Sequence, residues 1–181
     1  GAWEGALTLE ANGRVEGLPA KIHIAKGPLS HKIDGLSIAS EGVVRITAKN
    51  EAGEVVALSN PIVIRDGGAT YWGDLHGQSG ETVGINSLRD YITFGRDIAF
   101  LDVMSHQAND FQITGAFWDQ INALSAEFDD AGAFVMFPGY EWSGNTAVGG
   151  DHNVFFRHEG RPIRRSSHSL LTDRSDVGGD A

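Results

Sequence analysis

Two rhythms of apolar residues divide the chain. Up to about residue 66 the period is two. Leu7 and Leu9 alternate with polar neighbours, as do Ile22 and Ile24. In VVRITAKN, Val44, Ile46 and Ala48 share one face, and Arg45, Thr47 and Lys49 share the other. That is the mark of a half-buried strand. NEAG at residues 50–53 reads as a hairpin turn, with EVVAL as the returning strand. SNPIVI adds another strand, and its Pro61 suits a first strand position or a sheet edge. About five short strands predict a small antiparallel β-sandwich-like domain over residues 1–66. RDGGAT then reads as a linker.

From residue 70 the rhythm alternates between strand and helix. ATYWGDLH is a short strand with a polar end. NSLRDYITFG predicts a helix with Ser87 and Asp90 as a capping-box-like start, and Gly95 can end it. DIAFLDVMSH predicts a buried strand. GAFWDQINALSAEFDD predicts an amphipathic helix with Phe117, Ile121, Leu124 and Phe128 in register. GAFVMFPGYEW is a third strand and HNVFF a fourth. Such alternation implies an α/β unit with a parallel sheet, open or closed into a barrel. A closed barrel takes about 200 residues or more. Residues 70–181 are therefore expected to form only the N-terminal part of one. The missing barrel segment, or self-association, would cover the open edge.

Composition narrows the chemistry. The formal charge is −10, which argues against nucleic acid or anionic lipid as a partner. With no cysteine, disulfides and thiolate metal sites are excluded, and any metal must use imidazole, carboxylate, amide or water. No apolar run approaches the roughly 20 residues of a membrane span. The chain opens on Gly-Ala-Trp, so a targeting signal would lie outside it. The compartment stays open, an extracytoplasmic one included.

In parallel α/β folds the carboxyl ends of the strands carry the site. Here those ends present His76, His106, Glu141 and then Asp151 or His152, ligand types that Zn²⁺, Mn²⁺ or Fe²⁺ accept. Their repetition points to a shared metal site. Taken singly, His76 can be a loop histidine with a local partner, His106 a helix cap, and Glu141 a structural acceptor beside Trp142. Asp74, one strand step back, is placed to orient a ligating imidazole. At the fourth strand, alternation puts 151 and 153 on one face and 152 and 154 on the other. His152 is favoured for its imidazole, with Asp151 as the alternative. QAND at 107–110 can hold substrate or shape a loop, and GNTAVGG at 144–150 can cover the site. Asp110 and His158 are candidate proton donors. Arg157, Arg161, Arg164 and Arg165 either clamp an anion or lie in a solvated tail.

Four motifs, YWGDLHGQSGET, LDVMSHQANDF, FPGYEWSGNT and GGDHNVFF, together resemble a bacterial family related to the PHP (polymerase and histidinol phosphatase) metal-dependent hydrolases. The resemblance covers roughly residues 60–160. It implies a distorted (β/α)7 barrel with two or three metals at its carboxyl-end mouth, so the expected fold is a partial (β/α)7-type barrel behind a β-sandwich-like unit. By that resemblance His76, His106 and Glu141 match ligand positions, and Asp151 or His152 matches the next ligand region. Gln78 stands where a second histidine is usual, Ser105 stands where an acid is usual, and Glu81 falls near a further ligand position. The implied activity is metal-dependent hydrolysis of a phosphoester, with zinc, manganese or iron as cofactor. The rival readings are a non-catalytic binding module and an inactive fragment of a larger hydrolase.

Overall fold

The computed structural model describes residues 4–28, 30–144, 147, 149–168 and 170–172. The chain divides into two compact units, Gly1–Thr70 and Tyr71–Ala181. Among the described residues no helix is long and apolar enough to cross a membrane.

The first unit is all β. Its strands are β1 (Gly5–Ala11), β2 (Lys21–Ile24), β3 (Gly42–Val44), β4 (Ile46–Lys49), β5 (Val55–Leu58) and β6 (Ile62–Ile64). An antiparallel sheet runs in the order β2-β1-β4-β5, and β3 pairs with β6 in a second sheet. The predicted single strand VVRITAK is thus two. Its first half joins one sheet and its second half the other, with the break at Arg45. The hairpin at 50–53 forms as its residues predict. Asn50 N–H donates to the Glu54 carbonyl at 2.9 Å, Gly53 N–H donates to the Asn50 carbonyl at 2.9 Å, and Gly53 takes a φ of 81° that glycine adopts without strain.

The second unit contains β7 (Gly73–Gly77), α1 (Leu88–Asp97), β8 (Val103–His106), α2 (Gly115–Phe128), β9 (Val135–Phe137), β10 (Gly139–Ser143) and β11 (Asp151–Phe155). β7, β8 and β9 form a parallel sheet in that order. Ser87 caps α1 by accepting from Asp90 N–H, and Thr114 caps α2 by accepting from Phe117 N–H. Gly95 lies inside α1 rather than ending it. A Cβ there would sit 2.0 Å from Met104 Sδ, so this glycine lets α1 lie close against β8. The core joins Leu88 and Ile92 of α1, Phe117, Ile121, Leu124 and Phe128 of α2, and Met104 and Met136 of the sheet.

The barrel expectation is overturned. Among the described residues strand outweighs helix, with several small sheets and two helices, and these form no closed barrel and no (β/α)7 repeat. Two features of the chain explain this. Only Pro138 separates β9 from β10, where a (β/α) repeat would place a helix. Only residues 144–150 then link β10 to β11. A parallel pair needs a crossover of a dozen residues or more, so β11 turns back antiparallel, with Glu141 opposite Asn153.

Candidate functional site

The carboxyl ends of β7, β8 and β10 do come together, and β11 closes one side. β10 stays beside the segment that follows β8. Glu141 N–H donates to the Ala108 carbonyl at 2.8 Å, and Asp110 N–H donates to the Glu141 carbonyl at 2.8 Å. Gly139 makes this approach possible, since a Cβ there would lie 2.3 Å from Gln107 Nε2 and 2.7 Å from the Val154 carbonyl oxygen.

His76 and Glu141 meet at the mouth, with His76 Nε2 3.9 Å from Glu141 Oε2. Their side chains differ in exposure, 55% for His76 and 10% for Glu141. The other ring nitrogen, Nδ1, lies 2.8 Å from Asn153 Oδ1. An amide oxygen only accepts, so Nδ1 carries a proton, and Nε2 is the ring nitrogen that faces the carboxylate. Glu141 Oε2 also accepts from Asn109 Nδ2 at 2.8 Å and from Gln78 Nε2 at 3.2 Å. The Gln78 oxygen accepts from Thr82 Oγ1 at 2.8 Å. Gln78 therefore steadies Glu141 through its NH₂ group, and its oxygen is already engaged.

Asp74 supports His76 through the backbone. Its Oδ1 accepts His76 N–H at 3.1 Å, and its Oδ2 accepts the Tyr91 hydroxyl at 3.0 Å. Burial, reinforced by the Asp74 charge, raises the Tyr91 pKa, so this phenol is a donor. β7 shifts register against β8 between Asp74 and Gly77. Asp74 can thus hold α1 while His76 turns to the mouth.

His106 is placed differently. It is fully buried, enclosed edge-on by the rings of Tyr91 and Phe117, and its Nε2 is 2.8 Å from Ser79 Oγ. The Ser79 hydroxyl also helps to hold the Glu81 carboxyl below its ordinary pKa. The other ring nitrogen of His106, Nδ1, is buried with no hydrogen-bond partner. Burial lowers the His106 pKa to about 4, against a smaller opposing pull from Glu81. For Glu81, burial opposes the charge, but the bonds from Ser79 and Leu88 N–H outweigh it and the pKa falls.

On the hairpin of β10 and β11, cross-strand partners share a face. Ser143 pairs with Asp151, Trp142 with His152, and Glu141 with Asn153. Asp151 therefore lies on the Glu141 face. His152 lies on the opposite one, its ring 5.7 Å from that of Trp142 and its Nδ1 2.8 Å from the Gly150 carbonyl oxygen. His158 sits in the exposed turn beyond Phe155, past the end of the hairpin where Gly139 pairs. Asp110 is buried. Its carboxylate accepts Ser143 N–H at 3.2 Å, Ser166 Oγ–H at 3.0 Å and Ser166 N–H, while its carbonyl accepts Arg165 Nη1. This network docks the C-terminal segment. Ile163 enters the core, and the Arg161 carbonyl accepts Trp118 Nε1–H at 2.9 Å. Ile163 and Arg165 are thus buried, whereas Arg161, Pro162 and Arg164 stay exposed. Of the predicted cover loop at 144–150, residues 145, 146 and 148 lie outside the described residues.

Among the described residues no group of three or more His, Asp and Glu side chains gathers to hold a metal. The mouth offers its two strongest donors, His76 and Glu141, as a pair. An imidazole and a carboxylate are donor types that a divalent cation accepts, one fewer than the three protein ligands of a catalytic zinc site. Ser79 and Thr82 are the polar partners that sequence reasoning did not single out, and Asn109 was read only as part of QAND. Asn109 had a usable signal, since it lies three positions beyond His106 in the segment leaving a strand end. An apolar cavity of about 300 Å³, lined in part by Tyr71, Asp102, Val103 and Val135, contains none of the mouth residues. Comparison of the chain with protein families, curated proteins and solved structures gives no match.

Proposed function

We propose that this mouth is the hydrolytic centre of a divalent-metal-dependent enzyme acting on a phosphoester. The observation that supports it is the meeting of His76 Nε2 and Glu141 Oε2, 3.9 Å apart, with the Nδ1 proton committed to Asn153. An imidazole nitrogen and a carboxylate oxygen that face one another are a pair of donors that a divalent cation can share. An imidazole and a carboxylate suit zinc, manganese or iron. When bound, such an ion supplies a water of lowered pKa and a Lewis acid for the developing charge.

The chain's own residues have distinct tasks. Asn153 fixes the His76 tautomer, as the outer partner of a metal-ligating histidine does. Asn109 and Gln78 hold Glu141 Oε2 from the other side. Asp74 secures the backbone beneath His76. Asp151, on the same face as Glu141, is available to substrate or as a further ligand. The phosphoester class, and the expectation of two or three ions, rest on the resemblance of the four strand-end motifs to the PHP family.

Equilibrium dialysis of the full chain against Zn²⁺ or Mn²⁺, paired with hydrolysis of a chromogenic phosphomonoester, tests this reading. We expect metal retained by the wild-type chain, with binding and hydrolysis both lost in Glu141→Ala. Full metal content and full activity in that variant would refute the assignment. One observation favours a second reading, a non-catalytic binding module: Gln78 turns its NH₂ group, not its oxygen, toward Glu141. Metal bound without turnover of any ester would select it.

A further inference from the structure

The cavity of about 300 Å³ in the second unit, lined in part by Tyr71, Asp102, Val103, Phe134, Val135 and Phe137, carries an inference independent of the mouth. In the parallel sheet Val103 pairs with Val135 on one side and with Gly73 on the other. By alternation the side chains of Val103, Val135 and Phe137 lie on the face opposite Met104 and Met136, which pack in the core with both helices. At the carboxyl half of that second face Ser105 is buried. Its Oγ donates to the Phe137 carbonyl at 3.0 Å and accepts from Gln107 Nε2 at 2.8 Å. At the amino half Val103, Val135 and Phe137 are only half-buried, and Gly73 brings no side chain. A parallel sheet is ordinarily covered on both faces. Here the amino half of one face forms a mostly apolar hollow, of the size and character of small-ligand sites.

Of the lining residues Asp102 alone is charged. It is anchored from three sides. Its N–H donates to the Trp72 carbonyl at 2.8 Å, its carbonyl accepts Val135 N–H at 2.9 Å, and its Oδ2 accepts Trp72 N–H at 2.8 Å. Among the described residues its Oδ1 accepts no hydrogen bond, and no Lys, Arg or His pairs with the carboxylate. Tyr71, 72% exposed, adds a phenol ring to the lining. We propose that this cavity binds a small organic cation, a primary ammonium on an aromatic or branched aliphatic body. The ammonium donates to Asp102 Oδ1 in a charge-assisted bond, and the Tyr71 ring face is open to its positive charge. The body covers Val103, Val135 and Phe137. An anion would meet a like charge there, and a neutral hydrocarbon would strip water from Oδ1 and leave it unpaired.

Methyl ¹H–¹³C spectra of the full chain, titrated separately with benzylammonium, benzyl alcohol and benzoate, test the proposal. Benzylammonium should shift the Val103 and Val135 methyl resonances saturably and leave the His76 ring resonances in place. Benzyl alcohol should bind about tenfold more weakly or worse, the loss of one charge-assisted bond, and benzoate should not bind. Asp102→Asn keeps an oxygen for Trp72 N–H and should bring benzylammonium down to the level of the alcohol. The three probes make the same comparison on the wild-type chain, which keeps the test decisive if that variant fails to fold. No saturable shift at Val103 and Val135 would overturn the proposal. So would equal affinity for the three probes, or undiminished benzylammonium affinity in the folded Asp102→Asn protein.

Discussion

The two units bury their residues in opposite ways. In the β unit the buried apolar side chains among the described residues are Ala6, Leu9 and Val44, while Val43, Val55, Val56, Leu58 and Val63 stay exposed. The α/β unit packs two helices on a three-stranded sheet and also buries Ser105, His106, Gln107 and Asp110. A buried polar group is costly unless it is bonded. Ser105 and Asp110 are bonded, whereas His106 Nδ1 and Gln107 Oε1 are buried with no partner. The α/β unit thus holds polar side chains inside its core, and the β unit leaves much of its apolar strand surface exposed.

The largest effect that would sharpen this contrast is a core truncation. Ile121→Ala in α2 should cost roughly 4 kcal/mol, read as a drop in denaturant midpoint. A loss below about 1 kcal/mol would mean that the α/β core is loose.

Acid should separate the units next. His106 has a pKa lowered to about 4 from the ordinary 6.5. Below 6.5 the unfolded chain takes up a proton that the folded chain refuses until about 4, so stability falls as the pH drops through that window. The loss should reach up to about 3 kcal/mol. His106→Leu should flatten that part of the pH–stability curve while lowering stability at neutral pH. An unchanged slope would show that the imidazole is not buried neutral.

A smaller loss, about 1–3 kcal/mol, is expected of Asp110→Asn, which disturbs the carboxylate that docks residues 165 and 166. Limited proteolysis should then cut the C-terminal segment first, and equal resistance in wild type and variant would contradict the docking. The smallest effect belongs to the β unit. Val63→Thr, on an exposed position of β6, should change stability by less than about 0.5 kcal/mol, and a cost several times larger would mean that this face is covered.

What was legible in the sequence follows the range of the interactions. The hairpin at 50–53 and both helix starts rest on contacts a few residues long, and Asn50, Ser87 and Thr114 make them. The break at Arg45 and the return of β11 depend on which distant strand is the partner, and alternation does not encode that choice. His106 is instructive. Its strand-end position suggested the mouth, yet in β8 it shares a face with Met104, the residue packed under α1. Period two alone put it on the helix side. His76 departs from its own period because the register shift in β7 turns it, which no local pattern announces. Glu141 was visible as the acid after an apolar strand, Asn109 lay within the QAND segment already read as able to hold substrate, and alternation put Asn153 on the face of Asp151, as the hairpin register has it.

The most direct test of the central claim reads the histidine rings themselves. Long-range ¹H–¹⁵N spectra of the full chain at neutral pH, recorded during a Zn²⁺ titration, distinguish the two nitrogens of each ring. The account predicts that His76 carries its proton on Nδ1, that its Nε2 resonance moves as zinc is added, and that the His106 resonances do not. A His76 protonated on Nε2 and indifferent to zinc, or a zinc response at His106 instead, would contradict it.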